Sequence, residues 1–195
     1  MPLIVESHRL NSATLLRRYG QARVLDVTSR GVEPWIRVSP FYPHGAIPVP
    51  FSPGYVGASV EGIWQGLKVF ERADVDISKF SVTTMKGLKR SVRANGPVLG
   101  HREGVHGTRL LGYLDARYTI YLPTYLWVIE HNLQAEIATL RQLSANETVI
   151  LLDYETNADV TNLQKPLSHA ALIKLYIENL WPNANSSSTS IHQSK

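Results

Sequence analysis

Residues 59–71 read SVEGIWQGLKVFE, and the fold reading starts from them. Val60, Ile63, Trp64 and Leu67 recur at i, i+3, i+4 and i+7, the spacing of a helix with one buried face. Ser59 supplies a hydroxyl at the N-cap. Four large apolar side chains on one face need a surface to pack against, and the flanking sequence offers several. Downstream, Pro123 suits the first turn of a long helix to about Leu143, with Leu126, Ile129, Leu133, Ile137 and Leu140 as a continuous stripe. Further helices are expected over Thr83 to Ala94, ended by Asn95-Gly96, and over about Thr108 to Tyr118. Ser168 is placed to cap a final helix, SHAALIKLYIENL, and Asn11 or Ser12 a short one through Arg18, stopped at Gly20.

Extended structure is sparser. Arg23 to Thr28 alternates, and Thr148 to Asp153, TVILLD, reads as a buried strand. Between Gly31 and Gly57, prolines 34, 40, 43, 48, 50 and 53 forbid a helix and leave short extended pieces joined by turns. These elements predict an α+β fold: a single helix-rich domain with a few short strands, over residues 1–182. Residues 183–195, NANSSSTSIHQSK, carry too little apolar surface to offset the entropy of ordering and are expected to form a disordered polar tail.

Composition narrows the chemistry. The 195 residues are 44% hydrophobic, enough for a core, and include no cysteine. That excludes disulfide scaffolds, thiol nucleophiles and Cys-based zinc sites. Met1 to Glu6, MPLIVE, lacks the basic and long apolar regions of a secretory signal, and no apolar run reaches the ~18 residues of a membrane span. A cytoplasmic protein without membrane contact is expected. The net charge is only +4, but Lys86, Lys89, Arg90, Arg93, Arg102 and Arg109 face a single acid, Glu103, within residues 86–109. The excess is therefore concentrated where a phosphate or a nucleic-acid backbone can be received, unless the window is simply a solvated basic helix.

Two segments carry candidate chemistry. Glu61, Gln65 and Lys68, at i, i+4 and i+7, fall within about 60° on the expected helix and can act at one place. A carboxylate, an amide and an ammonium there suit charge stabilisation, orientation of a polar group and anion binding; the alternative is a solvated helix edge. Some twenty residues earlier, Ser39-Pro40-Phe41-Tyr42-Pro43 places aromatic rings in a proline-stiffened loop, either as a stacking wall or as one end of the core.

Together, S-x-F-Y-P followed by S-V-E-x-x-x-Q-x-x-K-x-F resembles the NADAR family, which includes the YbiA-like N-glycosidases. The matching residues are Ser39, Phe41, Tyr42 and Pro43, then Val60, Glu61, Gln65, Lys68 and Phe70. The likeness continues more weakly through TVILLDYETNAD, where Asp159 is the expected counterpart of a late family aspartate, to PLSHAALIKLYIE. Pro40 stands where the family has Asn and Gly62 where it has His; the family's Trp-Gly motif after that aspartate and its Asn-x-Gly before the last helix are missing.

The resemblance implies hydrolysis of an N-glycosidic bond between ribose and a base, in a phosphorylated ribosyl or ADP-ribosyl conjugate, with no cofactor and no metal. Such chemistry needs a carboxylate near C1′ to support oxocarbenium character. Glu61 is the expected catalytic group, with Asp159 in support. Expected substrate contacts are Ser39, Phe41, Tyr42, Trp64, Gln65 and Lys68, together with Lys89, Arg90, His101 and Arg102 of the basic window. Tyr121, in the aromatic and basic run Arg117, Tyr118, Tyr121, Tyr125 and Trp127, and Ser168 and His169 at a helix start complete the set. Two other readings stand beside it: a non-catalytic module that binds ADP-ribose or a related nucleotide, and a nucleic-acid-binding accessory protein using residues 86–109.

Overall fold

Strand formation is concentrated where β-branched and leucine side chains cluster, and the computed structural model, which describes residues 2–184, holds eight strands among them. They are β1 (Leu3–Ser7), β2 (Arg23–Asp26), β3 (Ile47–Pro48), β4 (Val56–Gly57), β5 (Lys68–Phe70), β6 (Val98–Arg102), β7 (Leu110–Leu111) and β8 (Val149–Asp153). The helices are α1 (Ser12–Tyr19), α2 (Val60–Gly66), α3 (Val92–Asn95), α4 (Tyr113–Ala116), α5 (Leu122–Asn132), α6 (Gln134–Asn146) and α7 (His169–Ile177). A π-helical turn, Arg117–Tyr121, joins α4 to α5.

The buried run VILLD lies at the centre of a parallel sheet in the order β1-β8-β2. Its side chains are buried on both faces of the sheet, with α6 and α7 packed against it, which is why its apolar residues run on without alternation. A second, antiparallel sheet has the order β5-β6-β7, and β3 pairs with β4 as a small hairpin. Helices α5, α6 and α7 join these sheets through one apolar cluster that runs from Leu3 to Ile173, so the chain is one α+β domain. No helix among the described residues is long and apolar enough to cross a membrane. Most of the expected tail, residues 185–195, lies outside the described residues.

Four expectations on elements are corrected. The helix expected over residues 59–71 stops at Gly66, because Lys68 to Phe70 pair with β6 instead, Lys68 opposite His101 and Val69 opposite Gly100. Of the helix expected over residues 83–94 only Val92–Asn95 forms; Met85 and Gly87 take positive φ, 57° and 70°, which no right-handed helix admits. Leu110–Leu111 add to the β6 edge, so helix begins only at Tyr113. The long helix from Pro123 breaks at Leu133, where the backbone leaves the helical region at φ −114° and ψ 18°. The Gln134 amide compensates by donating to the carbonyls of Ile129 and Glu130. Strand β1 was hidden in MPLIVE, too short a run to show a period.

Helix α2 is buried on every side, from Val60 to Gly66. Its glycines make that possible. A Cβ on Gly62 would lie 2.6 Å from the Lys79 carbonyl oxygen, and one on Gly66 would collide with the Phe80 ring. The neighbouring 3-10 turn, Ile77–Ser81, therefore sits against α2 so closely that the histidine of the resembled family has no room at position 62. Gly62→Ala is expected to lower stability by about 1–3 kcal/mol through overpacking, read from urea unfolding; an unchanged midpoint contradicts this close approach.

Candidate functional site

Ser59 begins α2 by accepting a hydrogen bond from the Gly62 N–H at 3.0 Å. The Glu61 N–H, one of the helix's unpaired donors, is met by the Pro40 carbonyl at 2.9 Å. That bond joins the two sequence motifs. The Pro-rich segment is fixed from behind as well, since the buried Tyr125 hydroxyl of α5 donates to the Val38 carbonyl at 2.6 Å. Between this segment, α2, the π-helical turn, the end of β8 and the start of α7 opens a cavity of about 460 Å³, within the size range of small-molecule sites.

Glu61 lines this cavity and is 8% exposed. Burial pushes its carboxyl above the ordinary value, against the opposing pull of the Gln65 hydrogen bond and of Lys68 and Lys89. The Gln65 amide donates to Glu61 Oε1 at 2.9 Å, while its oxygen accepts from the Arg90 N–H at 3.1 Å. Gln65 thus braces the carboxylate instead of waiting for a ligand. Glu61 Oε2 has no protein donor among the described residues.

The cations divide into two kinds. Arg90 spends its guanidinium on the carbonyls of Gln65, Lys68 and Asp74 and lies 4.8 Å over the Phe70 ring. Arg117, 2% exposed, donates to the carbonyls of Val160, Asn162 and Lys165 and so staples the loop before α7 across the cavity. Lys68 and Lys89 differ: neither ammonium donates to a described residue, and each only overlies a ring, Trp64 at 5.8 Å and Phe41 at 5.5 Å. Both line the cavity. Burial lowers the Lys68 pKa, with Glu61 opposing the shift and Lys89 and Arg90 adding to it.

Trp64 is the centre of an aromatic wall. Tyr121 meets it edge-on at 5.5 Å and Tyr113 lies tilted to it at 5.9 Å, while His101 packs behind it at 3.7 Å. The His101 ring is 1% exposed, neither nitrogen has a partner among the described residues, and burial, then Lys68, drop its pKa to about 3. It is a neutral spacer that holds the indole toward the cavity. The Tyr121 hydroxyl has its pKa raised by burial and by Glu61 and Asp153, so it stays protonated as a donor.

At the far end Asp153, 3% exposed, closes β8 onto α7. Its Oδ1 accepts from the Tyr154 N–H, and its Oδ2 from the Ser168 hydroxyl at 2.7 Å and the Ala170 N–H at 3.3 Å. His169 Nδ1 adds a contact to the same oxygen at 3.1 Å, and Nε2 faces the Val27 carbonyl at 2.7 Å. Two acceptors on two ring nitrogens call for two protons. Burial disfavours that charge, yet the Asp153 carboxylate outweighs it and raises the His169 pKa. The same pair lowers Asp153 despite its own burial.

Of the residues expected from sequence, Ser39, Phe41, Glu61, Trp64, Gln65, Lys68, Lys89, Arg90, Tyr121 and His169 line the one cavity. Five do not. Asp159 is exposed and its carboxylate binds the Thr161 N–H and hydroxyl. Tyr42 turns outward to Glu33 at 3.0 Å, and Arg102 pairs with Asp74 at 2.7 Å. His101 lies behind Trp64, and Ser168 caps α7. Sequence reasoning missed Asp153, Glu155, Arg117, Tyr113 and Tyr154 as cavity residues. An acid at the carboxyl end of a buried strand was the available signal for Asp153. No set of three or more His, Asp or Glu side chains close enough to hold a metal ion occurs among the described residues.

The chain belongs to a family of unknown function, DUF6939, whose profile matches residues 7–173. That span contains every residue of the cavity wall. No curated protein is significantly similar to the chain.

The buried Asp153–His169 pair sets a pH dependence. His169, raised above 6.5, contributes stability fully below that value and loses it as pH climbs through the raised pKa. Asp153, lowered from 3.8, contributes above that value and loses it as pH falls through the lowered one. Asp153→Asn leaves the imidazolium without a counter-charge and is expected to cost about 3–5 kcal/mol between these limits. Urea unfolding across pH should show the gap to wild type narrowing at both ends; a constant gap contradicts the ionised pair.

Proposed function

We propose that the protein is an N-glycosidase-like hydrolase that cleaves a ribose–base bond in a phosphorylated ribosyl or ADP-ribosyl conjugate, as the NADAR resemblance implies. The observation that supports this reading is the convergence of a buried carboxylate, two free ammonium groups and an aromatic wall on one cavity. Lys68 and Lys89 receive the phosphate as compact charges with donors to spare. The base stacks against Trp64, with the Tyr121 hydroxyl available to a ring or exocyclic acceptor.

In the reaction the C1′–N bond breaks and its electron pair leaves with the base nitrogen. Positive charge grows on C1′ and the ring oxygen. The Glu61 carboxylate, stripped of bulk water by α2 and braced by Gln65, meets that charge with little reorganisation. Water then adds to C1′, and the proton it gives up balances the one taken by the leaving nitrogen. The substrate is a soluble metabolite or conjugate met in the cytoplasm.

The surface reading of residues 86–109 has less support. Arg90, Arg102 and Arg109 are engaged by carbonyls, Asp74 and Glu103 respectively, so the window does not present an unbroken row of free cations.

Glu61→Gln keeps the shape and the Gln65 contact but removes the charge. It is expected to lower kcat by about 10²–10³ while ribose 5-phosphate still binds. Because burial raises the Glu61 pKa, ionising it costs folding free energy above the usual 4.5, so the variant should melt higher than wild type at pH 8 and lose that advantage on acidification. Wild-type activity should fall on acidification along a limb lying above 4.5. A variant with full activity removes Glu61 from the reaction, and wild type that binds ADP-ribose yet releases no base makes the protein a binding module.

A further inference from the structure

Three acids follow one another from the last residue of β8: Asp153, Glu155 and Asp159. The fold consumes two of them. Asp153 meets the Tyr154 and Ala170 amides, the Ser168 hydroxyl and the His169 ring, and Asp159 is turned on Thr161. Glu155 is different. It lines the cavity, is half-buried, and its carboxylate receives no hydrogen bond and no ion pair from any described residue.

Its position is nevertheless held on both sides. Upstream, the Tyr154 N–H is fixed to Asp153 Oδ1 at 2.7 Å, and the Tyr154 ring meets His8 edge-on at 4.4 Å. Downstream, the Asn157 carbonyl accepts from the Ser168 N–H at 2.9 Å, and the Arg117 staple holds the rest of the loop. A carboxylate set on a braced loop, facing a cavity and given no donor, is an acceptor with its capacity unused.

Glu61 cannot serve equally as a proton acceptor. One of its oxygens is committed to Gln65, and it lies too deep to exchange a proton readily with solvent. Two carboxylates in one cavity with such different surroundings suit two different tasks. We propose that Glu155 is the general base of the hydrolysis, the group that takes a proton from the attacking water. This assignment rests on the N-glycosidase reading. The water oxygen bonds to C1′ as the C1′–N bond breaks, the electron pair leaves with the base nitrogen, and one water proton passes to Glu155. Glu155 later returns that proton to the leaving nitrogen or to solvent and is restored.

The test uses the full chain with a ribosylated aminopyrimidine 5′-phosphate and an ADP-ribosylated guanosine as substrates. Glu155→Ala is expected to lower kcat by about 10²–10⁴ with KM unchanged and with wild-type thermal stability. Sodium azide should restore turnover in this variant and yield the ribosyl azide by mass spectrometry, because azide adds to C1′ without needing a base. Glu155→Gln, with no space vacated, should be as slow and not rescued, and Glu61→Gln should not be rescued either. Full kcat in Glu155→Ala, or a slow but stable variant that azide does not rescue, overturns the assignment while leaving the N-glycosidase reading intact. Wild type that releases no base from either substrate overturns that reading and this assignment with it.

Discussion

A carboxylate buried in the first turn of a short helix is the constraint around which this molecule is arranged. Glu61 is costly to ionise where it sits, and no arginine among the described residues is paired with it. What compensates is diffuse: an amide brace from Gln65, two ammonium charges, and an apolar cluster large enough to carry the deficit. Helix α2 reaches that depth only because Gly62 and Gly66 let the Ile77–Ser81 turn press against it. The glycine that departs from the resembled family is thus a packing requirement of the same helix that carries the carboxylate.

The basic residues follow a consistent division of labour. Guanidinium groups, with their planar fork of donors, tie backbone carbonyls together: Arg90 joins α2, β5 and the loop after β5, and Arg117 staples the loop between β8 and α7. The two cavity lysines make no such bonds. Among the described residues, these two arginines serve the architecture while the two lysines keep their donors unspent. At the opposite wall an ionised Asp153–His169 pair joins the sheet to α7, so the carboxylate nearest the strand end is structural and the one two residues later is free.

Much of this was legible in the chain, and the rest failed for identifiable reasons. The start of α2, the buried strand β8 and the caps Ser59 and Ser168 are local signals, and each appears as read, although α2 ends earlier and is buried on more than one face. The grouping of Phe41, Glu61, Trp64 and Lys68 was legible through motif order. What sequence could not supply was tertiary context. Lys68 belongs to a strand because β6 lies beside it, and residues 83–91 leave the helical region at Met85 and Gly87, with the Arg90 amide turned to Gln65. Asp153, Glu155 and Asp159 look equivalent in a string of letters, and only the hydrogen bonds around them show which one remains available. His101 looks like a ligand-binding group until its burial behind Trp64 is seen.

The central claim, that the Glu61 cavity binds a phosphorylated ribose with its anomeric carbon at the carboxylates, is tested most directly by a crystal structure of the wild-type protein with ribose 5-phosphate. The account predicts the phosphate within hydrogen-bond distance of the Lys68 and Lys89 Nζ atoms, and C1 turned toward Glu61. A sugar phosphate bound outside this cavity, or reversed within it so that C1 points away from Glu61, would contradict it.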